Sequence, residues 1–140
     1  MTFVVFARAA VATALLAVAV PAVAQEYPTR PVRMIVGFAA GGGTDTTARP
    51  IAQKLSELFG QQVIVDNRPG AAGNIATDIV AKASPDGYTI LMGTIAALAI
   101  NPSLYANLPF DPERDLAPVT QAVDSTNILS LHPSVPAGSV

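Results

Sequence analysis

The sequence predicts an α/β fold built around a parallel sheet, and three observations support this prediction. Segments with a strand pattern alternate with segments with a helical pattern, in the order strand, helix, strand, helix, strand. The second strand candidate contains a continuous apolar run, which suits a parallel strand covered on both faces. Glycine-rich loops join the first two strands to their helices, as expected for right-handed crossover connections.

The first strand is predicted at residues 32–38, after an extended lead-in over residues 25–31 that contains two prolines. A loop with three consecutive glycines then leads into the first helix. Thr44 or Asp45 is expected to cap this helix, because a short side-chain oxygen accepts from the free N–H groups of a first turn.

The first helix has one apolar face and a glycine suited to its C-terminal end, Gly60. Pro50 removes a backbone donor and clashes with the preceding turn, so the helix either begins nearer Arg49 or is kinked there. The apolar face follows helical spacing and comprises Ile51, Leu55, Leu58 and Phe59.

The rest of the chain divides into shorter elements. A second helix, ending near residue 83, carries an apolar stripe of Ile75, Ile79 and Val80. The other predictions are a strand at 62–66, a loop at 67–74, a turn at 84–87, a strand at 88–92, short helical turns at 101–105 and 110–115, and strand candidates at 117–123 and 128–131.

Residues 1–24 are predicted to be an export signal that is cleaved after Ala24. Arg8 is the only charge in this segment, residues 9–20 are apolar except for Thr13, and small residues precede the cleavage point. The alternative is a membrane anchor, but the apolar run is shorter than the ~20 residues that span a bilayer.

Composition excludes several classes of function. The net charge is −2, and it becomes −3 once Arg8 is removed with the signal, so nucleic acid is not expected as a partner. The chain has no cysteine, which excludes disulfides, thiolate catalysis and cysteine-ligated metal. An exported chain without cysteine fits the bacterial periplasm.

Both glycine-rich loops follow strands, and ligands of open α/β sheets bind beyond the carboxyl ends of the strands. If the first two strands are neighbours, the loops flank one crevice that suits a carboxylate or another small anion. The alternative is that the glycines only make tight turns. The nucleotide-binding motifs are absent, because Thr44-Asp45 follows the last glycine and position 46 is threonine.

Four polar side chains near these loops have two interpretations each. Asp45 either caps the helix or binds a ligand ammonium group. Arg68 either contacts a ligand carboxylate or pairs with a nearby aspartate. Asn67 and Asn74 are expected to hold the second loop rather than to recognise a ligand. The single histidine, His132, has neither a nucleophile elbow nor an orienting group in its sequence context, so we expect neither catalysis nor a metal site.

Six segments taken together resemble the periplasmic solute-binding receptors of tripartite tricarboxylate transporters, also called Bug receptors. Gly37 and Ala39 stand where this family often carries proline, and Pro50 stands where a helix-forming aliphatic residue is usual. The six segments occur in family order and are residues 27–31, 36–45, 65–74, 84–89, 101–105 and 132–136.

The resemblance implies a periplasmic-binding-protein type II-like fold, a Venus flytrap of two α/β domains. Such receptors do not catalyse a reaction, need no cofactor, and present a small carboxylate to the membrane subunits of a transporter. The usual ligands are di- and tricarboxylates, acidic amino acids and aromatic acids, held largely by backbone groups and water. By position, the ligand-binding residues here are Phe38, Ala40, Gly41, Gly43, Thr44, Asp45, Ala71, Gly73, Asn74 and Thr94.

Family members are roughly twice as long as the part of this chain that follows the signal. The resemblance therefore implies a partial first domain at residues 25–123, including a crossing strand at 117–123, and the beginning of a second domain at 124–140. We expect such a fragment to be incomplete or inactive as a receptor. The alternative function is a secreted α/β enzyme that binds a phosphate or nucleotide through the glycine-rich loop.

Overall fold

A computed structural model describes residues 26–126 together with residues 130, 132, 134 and 135. The predicted export signal lies outside the described residues. The strand candidate at 128–131 also lies outside them, apart from Ser130.

Three parallel strands form one sheet, as the alternating sequence pattern predicts. The strands are β1 (Val32–Val36), β2 (Val63–Asn67) and β3 (Thr89–Met92), and their order in the sheet is β2-β1-β3. In the register, Val36 lies opposite Asn67 on one side and Met92 on the other. The carboxyl ends of all three strands therefore meet at one edge.

The first helix, α1 (Gly43–Phe59), begins earlier than the proline suggests and runs through Pro50. Of the two alternatives for Pro50, a start near Arg49 is wrong, because the backbone N–H of Thr46 already donates to the carbonyl of Gly42 at 2.9 Å. Gly42 occupies the N-cap position and no side chain caps this end, so neither predicted cap forms. Gly60 ends the helix at φ 65°, as predicted.

One face of α1 packs on the sheet. Ala48 and Ala52 are buried, and Ile51 and Leu55 pack against the buried cluster. Leu58 does not belong to this face, since 71% of its surface is exposed. The predicted apolar stripe is thus shifted toward the alanines, whose small side chains let the helix approach the strands. The buried cluster comprises Val32, Met34, Val36, Ala48, Ala52 and Val63.

The second helix, α2 (Asn74–Ala81), follows a 3₁₀ turn at Ala71–Gly73. Its buried residues are Asn74, Ala76 and Thr77, whereas Ile75 is half exposed. The buried face of α2 therefore includes two polar residues, Asn74 and Thr77, that the predicted apolar stripe does not contain.

The lead-in is fastened to the turn before β3. The Tyr27 hydroxyl donates to the carbonyl of Gly87 at 2.7 Å, and the backbone N–H of Thr29 donates to the Tyr88 hydroxyl at 2.9 Å. Arg30 pairs with Asp86 at 2.9 Å. These contacts lie at the amino ends of the strands, away from the glycine-rich loops.

Beyond β3 the chain forms a π-helical turn at Ala96–Ile100 and two short helices, α3 (Asn101–Leu104) and α4 (Pro112–Asp115). Both short helices were predicted. The strand predicted at 117–123 is absent: these residues are exposed, and no strand among the described residues pairs with them. Of the helices that the structure describes, none is long and apolar enough to cross a membrane.

Candidate functional site

The two glycine-rich loops lie against each other at the carboxyl edge of the sheet. A Cβ atom added at Gly37, directly after β1, would lie 2.9 Å from Cα of Gly73 and 3.3 Å from Cβ of Ala76. The parallel pairing of β1 with β2 produces this approach, because both loops leave the sheet at the same edge. The two loops that are expected to flank a ligand site are therefore in contact at this edge of the sheet.

The first turn of α1, directly after the first loop, has three free backbone donors. In the described part of the chain, no oxygen accepts from the N–H groups of Gly43, Thr44 and Asp45. The N–H of Gly42, in contrast, donates to the carbonyl of Ala39 at 3.1 Å. Free N–H groups at the start of a 17-residue helix carry its positive dipole end, and they favour an anion.

Asp45 organises the first loop from inside. Its side chain is buried, and its carboxylate accepts from the N–H of Gly41 at 2.8 Å, from Nε of Arg49 at 2.8 Å and from Nδ2 of Asn67 at 2.9 Å. The hydrogen bond from Arg49, followed by those from Gly41 and Asn67, holds the pKa of Asp45 well below its usual range against the opposing effect of burial.

This arrangement corrects both interpretations of Asp45. Its carboxylate accepts from a loop N–H rather than from the first turn of α1, and its oxygens are occupied within the fold, so it neither caps the helix nor faces an ammonium group. Its backbone N–H, in contrast, has no acceptor within the described residues. The N–H of Gly41, also expected at the site, is already used by the Asp45 side chain.

Asn67 holds the first loop, and not the second loop as predicted. Its Nδ2 donates to the carbonyl of Phe38 at 3.0 Å as well as to Asp45, and its Oδ1 accepts from Nη2 of Arg49 at 3.3 Å. The register explains this role, because Asn67 lies directly opposite Val36, the last residue before the first loop. Register was the signal that could have identified it from the sequence.

The second loop has a strained backbone. Ala71 and Ala72 have φ values of 46° and 53°, in the left-handed region that costs a residue with a side chain roughly 1–2 kcal/mol. Gly73 follows at φ 94°, where only glycine is at ease. Strain of this kind persists only where surrounding contacts hold it.

A buried pair of asparagines supplies such contacts. Nδ2 of Asn101, at the start of α3, donates to Oδ1 of Asn74 at 2.6 Å and lies 3.3 Å from the carbonyl oxygen of Ala72. Asn74 and Asn101 are 6% and 2% exposed. Sequence reasoning expected Asn74 at the site but missed Asn101, which is 27 residues further along the chain.

Thr94 lies in the loop after β3, close to the other two loops. It borders a gap too small to hold a water molecule, together with Gly37, Phe38, Gly73 and Ala97, among others. Its Oγ1 is buried and has no hydrogen-bond partner within the described residues. The structure therefore brings the third loop to the place where the first two meet.

The expected site residues on the turns differ in their exposure. Phe38 is half-buried, whereas Ala40, Gly41 and Ala71 are exposed on the turns. The ten expected residues thus all lie on the three loops that follow the strands or on the first turns of α1 and α2.

Arg68 and His132 do not contribute to this arrangement. Arg68 pairs with Asp66 at 3.0 Å, so the second of its two interpretations holds. His132 is exposed and its Nδ1 lies 2.7 Å from Oγ of Ser134. In the part of the chain that the structure describes, no three acidic or histidine side chains cluster to hold a metal ion.

Comparisons with known proteins identify the family. A family described as "Tripartite tricarboxylate transporter family receptor" matches residues 47–140. The chain belongs to this family. The resemblance inferred from the six sequence segments is therefore confirmed.

Known relatives extend the likeness to the glycine-rich region. The chain is 50% identical over 113 residues to a UPF0065 protein of Bordetella bronchiseptica, a match that covers 80% of this chain and 34% of the relative. It is 42% identical over 124 residues to the protein BugT of Bordetella pertussis, a match that covers 88% of this chain and 38% of BugT. The chain thus spans about a third of the length of the curated relatives that it matches.

Solved structures show the same fold. A protein described as "R. palustris Rpa4515 with adipate" is 47% identical to this chain with a TM-score of 0.60. The match covers 62% of this chain and 29% of that protein. MatC from Rhodopseudomonas palustris, solved with bound malate, is 37% identical to this chain with a TM-score of 0.61. The match covers 64% of this chain and 30% of MatC. A third structure, the periplasmic binding protein BugD, is 46% identical with a TM-score of 0.58, and the match covers 64% of this chain and 29% of BugD. The α/β fold of a periplasmic binding protein is confirmed.

Proposed function

We propose that this protein is an extracytoplasmic receptor that captures a small carboxylate for a tripartite tricarboxylate-type transporter. The observation that carries the proposal is the set of three free N–H groups on Gly43, Thr44 and Asp45 beside the second loop. Membership of the receptor family supports it, and so do the adipate and malate held by the two similar proteins.

The charges near the first loop suit a carboxylate better than a phosphate. The negative charge of Asp45 lies within the first turn of α1, where a phosphate dianion would be repelled. Arg49 pairs with Asp45 at 2.8 Å and offsets that charge, which leaves the N–H groups to attract a singly charged group. This argues for a receptor and against the alternative of a phosphate-binding enzyme.

The remaining parts of the proposal concern location and completeness. We assign the protein to the periplasm, with its export signal cleaved after Ala24, and its partners to the membrane subunits of the transporter. Residues 25–123 would form part of the first domain and residues 124–140 the start of the second. The loops described here would then form one wall of a cleft, and the 140 residues alone would bind weakly or not at all.

The test is a titration of the complete product of the reading frame with adipate, malate and inorganic phosphate. We expect saturable binding of a dicarboxylate, and about 2.7 kcal/mol of added stability at a ligand concentration of about 100 Kd. No stabilisation by any carboxylate in a wider panel, or hydrolysis of a phosphate ester, would overturn the proposal. The 140-residue chain, titrated in parallel, tests whether one wall suffices.

Two variants of Gly43 isolate the backbone donor. Gly43 is the first residue of α1 and Gly42 is extended at ψ 168°, so a proline at position 43 fits the backbone and removes only the N–H. Gly43→Ala keeps the N–H and has open space for its methyl group. We expect Gly43→Pro to bind the dicarboxylate about tenfold more weakly than Gly43→Ala. Equal affinities would show that this N–H does not touch the ligand.

A further inference from the structure

Asn101 opens the segment Asn101-Pro102-Ser103-Leu104-Tyr105, to which the proposed function assigns no role. It is nearly fully buried, and its amide reaches back across 27 residues to the second loop. Its Nδ2 lies 2.6 Å from Oδ1 of Asn74 and 3.3 Å from the carbonyl oxygen of Ala72.

These two contacts determine which way both amides point. A carbonyl oxygen can only accept, so the atom of Asn101 that faces Ala72 must be its NH₂ group. The same NH₂ group faces Asn74, and it requires an acceptor there, so Asn74 must present its oxygen. The orientation of the Asn74 amide thus follows from the carbonyl of Ala72.

This orientation leaves the NH₂ group of Asn74 unused by the fold. Asn74 is only 6% exposed, and no oxygen among residues 26–126 accepts from its Nδ2. Nδ2 is not one of the fully buried side-chain atoms that lack a partner, so it reaches the surface and is open to an acceptor from outside the fold. Asn74 directly follows Gly73, the residue that touches the first loop at Gly37, so the unused donor belongs to the region where the loops meet.

We propose that Asn101 is a positioning residue that holds the Asn74 amide with its oxygen inward, so that Nδ2 of Asn74 donates to a carboxylate of the ligand. The proposal rests on the proposed function and deepens it, because it names a side-chain donor and explains its polarity. If Asn101 served only to hold the carbonyl of Ala72, the orientation of the Asn74 amide would not matter, because the bond to Ala72 does not involve Asn74.

The test uses Asn101→Asp in the complete product of the reading frame, with adipate and adipamide as probes. An aspartate at 101 can only accept, so the Asn74 amide rotates to donate to it and turns its own oxygen toward the ligand. We expect adipate affinity to fall about a hundredfold, while adipamide, whose N–H groups can donate to that oxygen, loses much less. The preference for adipate over adipamide should therefore drop at least tenfold. A merely structural role would weaken both probes alike, and that result would overturn the proposal. Asn101→Leu removes the amide without adding a charge, so it should shift the preference in the same direction; a shift in Asn101→Asp alone would show that the new charge acts by repulsion and would also overturn the proposal.

Asn74→Asp serves as the second variant if Asn101→Asp does not fold. Its carboxylate still accepts from Asn101, so we expect stability to be kept while adipate affinity falls at least tenfold by charge repulsion. Unchanged adipate affinity in this variant would also overturn the proposal. The matched control is Asn107→Asp, the same chemical change at an exposed position of the chain, which should leave both affinities unaltered. If the unaltered protein binds neither adipate, adipamide nor malate, the proposed function fails. If the unaltered protein binds adipate and Asn101→Asp keeps the preference for adipate over adipamide, only the positioning role of Asn101 fails.

Discussion

Replacing Gly37 with alanine tests whether the two glycine-rich loops must touch. The new methyl group would lie 2.9 Å from Cα of Gly73, whereas carbon atoms in contact lie about 3.5–4.0 Å apart. The obstacle is backbone, and it cannot rotate away as a side chain would. Ala76 blocks a second direction at 3.3 Å, so the second loop or the start of α2 must move.

The expected cost follows from this overlap. Forcing an extra methyl group into a packed site costs about 1–3 kcal/mol, and contact with backbone places Gly37→Ala near the middle of that range. For a body of this size, a loss of about 2 kcal/mol lowers the melting temperature by about 10 °C. Urea unfolding followed by far-UV circular dichroism measures the free energy directly. The expected result is a lower midpoint at an unchanged slope.

Gly43→Ala is the matched control for stability. It adds the same methyl group to the same loop region, but no atom lies within 4 Å of the added carbon, and position 43 is helical. Its free energy of unfolding should therefore not fall. If Gly37→Ala is as stable as the unaltered protein to within about 0.5 kcal/mol, the loops do not meet as described and the crevice argument is refuted.

Three further predictions concern side chains. In Asp45→Asn, stability should fall at pH 7. Because the pKa of Asp45 is lowered in the folded state, the carboxylate stabilises the fold above pH about 4, and this contribution is lost progressively as pH falls through the folded-state pKa. The urea midpoints of the two proteins should therefore lie closer together at pH about 3 than at pH 7, without coinciding there. A constant difference at both pH values would contradict this. Arg68→Ala should change dicarboxylate affinity by less than about threefold in a titration, since Arg68 pairs with Asp66 at the surface. Tyr27→Phe should lose about 0.5–1.5 kcal/mol in urea unfolding through its bond to Gly87, with ligand affinity kept; an unaltered midpoint would show that the bond does not hold the lead-in.

The order of strands and helices could be predicted because each element carries its own local signal. The β-branched runs at β1 and β2 and Gly60 at the end of α1 each act over a few residues. The meeting of the two glycine-rich loops was also predictable, because parallel neighbours end at the same edge of a sheet. Family motifs, however, were needed to narrow the expected anion to a carboxylate.

Long-range polar contacts could not be predicted from local patterns. Asn101 and Asn74 meet only because the π-helical turn and α3 fold back onto the second loop. Pro50 left open where α1 begins, and local patterns do not show that Asp45 holds its first turn through contacts with Gly41 and Asn67 outside the helix and with Arg49 one turn on. The strand expected at 117–123 needs a strand to pair with, and no strand among the described residues pairs with it.

The buried carboxylate of Asp45 is compatible with the proposed binding of an acid, because other groups offset its charge and use its oxygens. Asp45 carries a negative charge, but Arg49 offsets it, and Asp45 gives its oxygens to Gly41 and Asn67 rather than to the crevice. The side chain thereby fixes the shape of the loop, and the positive potential comes from backbone N–H groups that cannot lose their hydrogen. In the proposed receptor, such donors would bind one carboxylate group and not the rest of the ligand. Selectivity among different acids would then arise from groups that reach the far end of the ligand, outside the three loops.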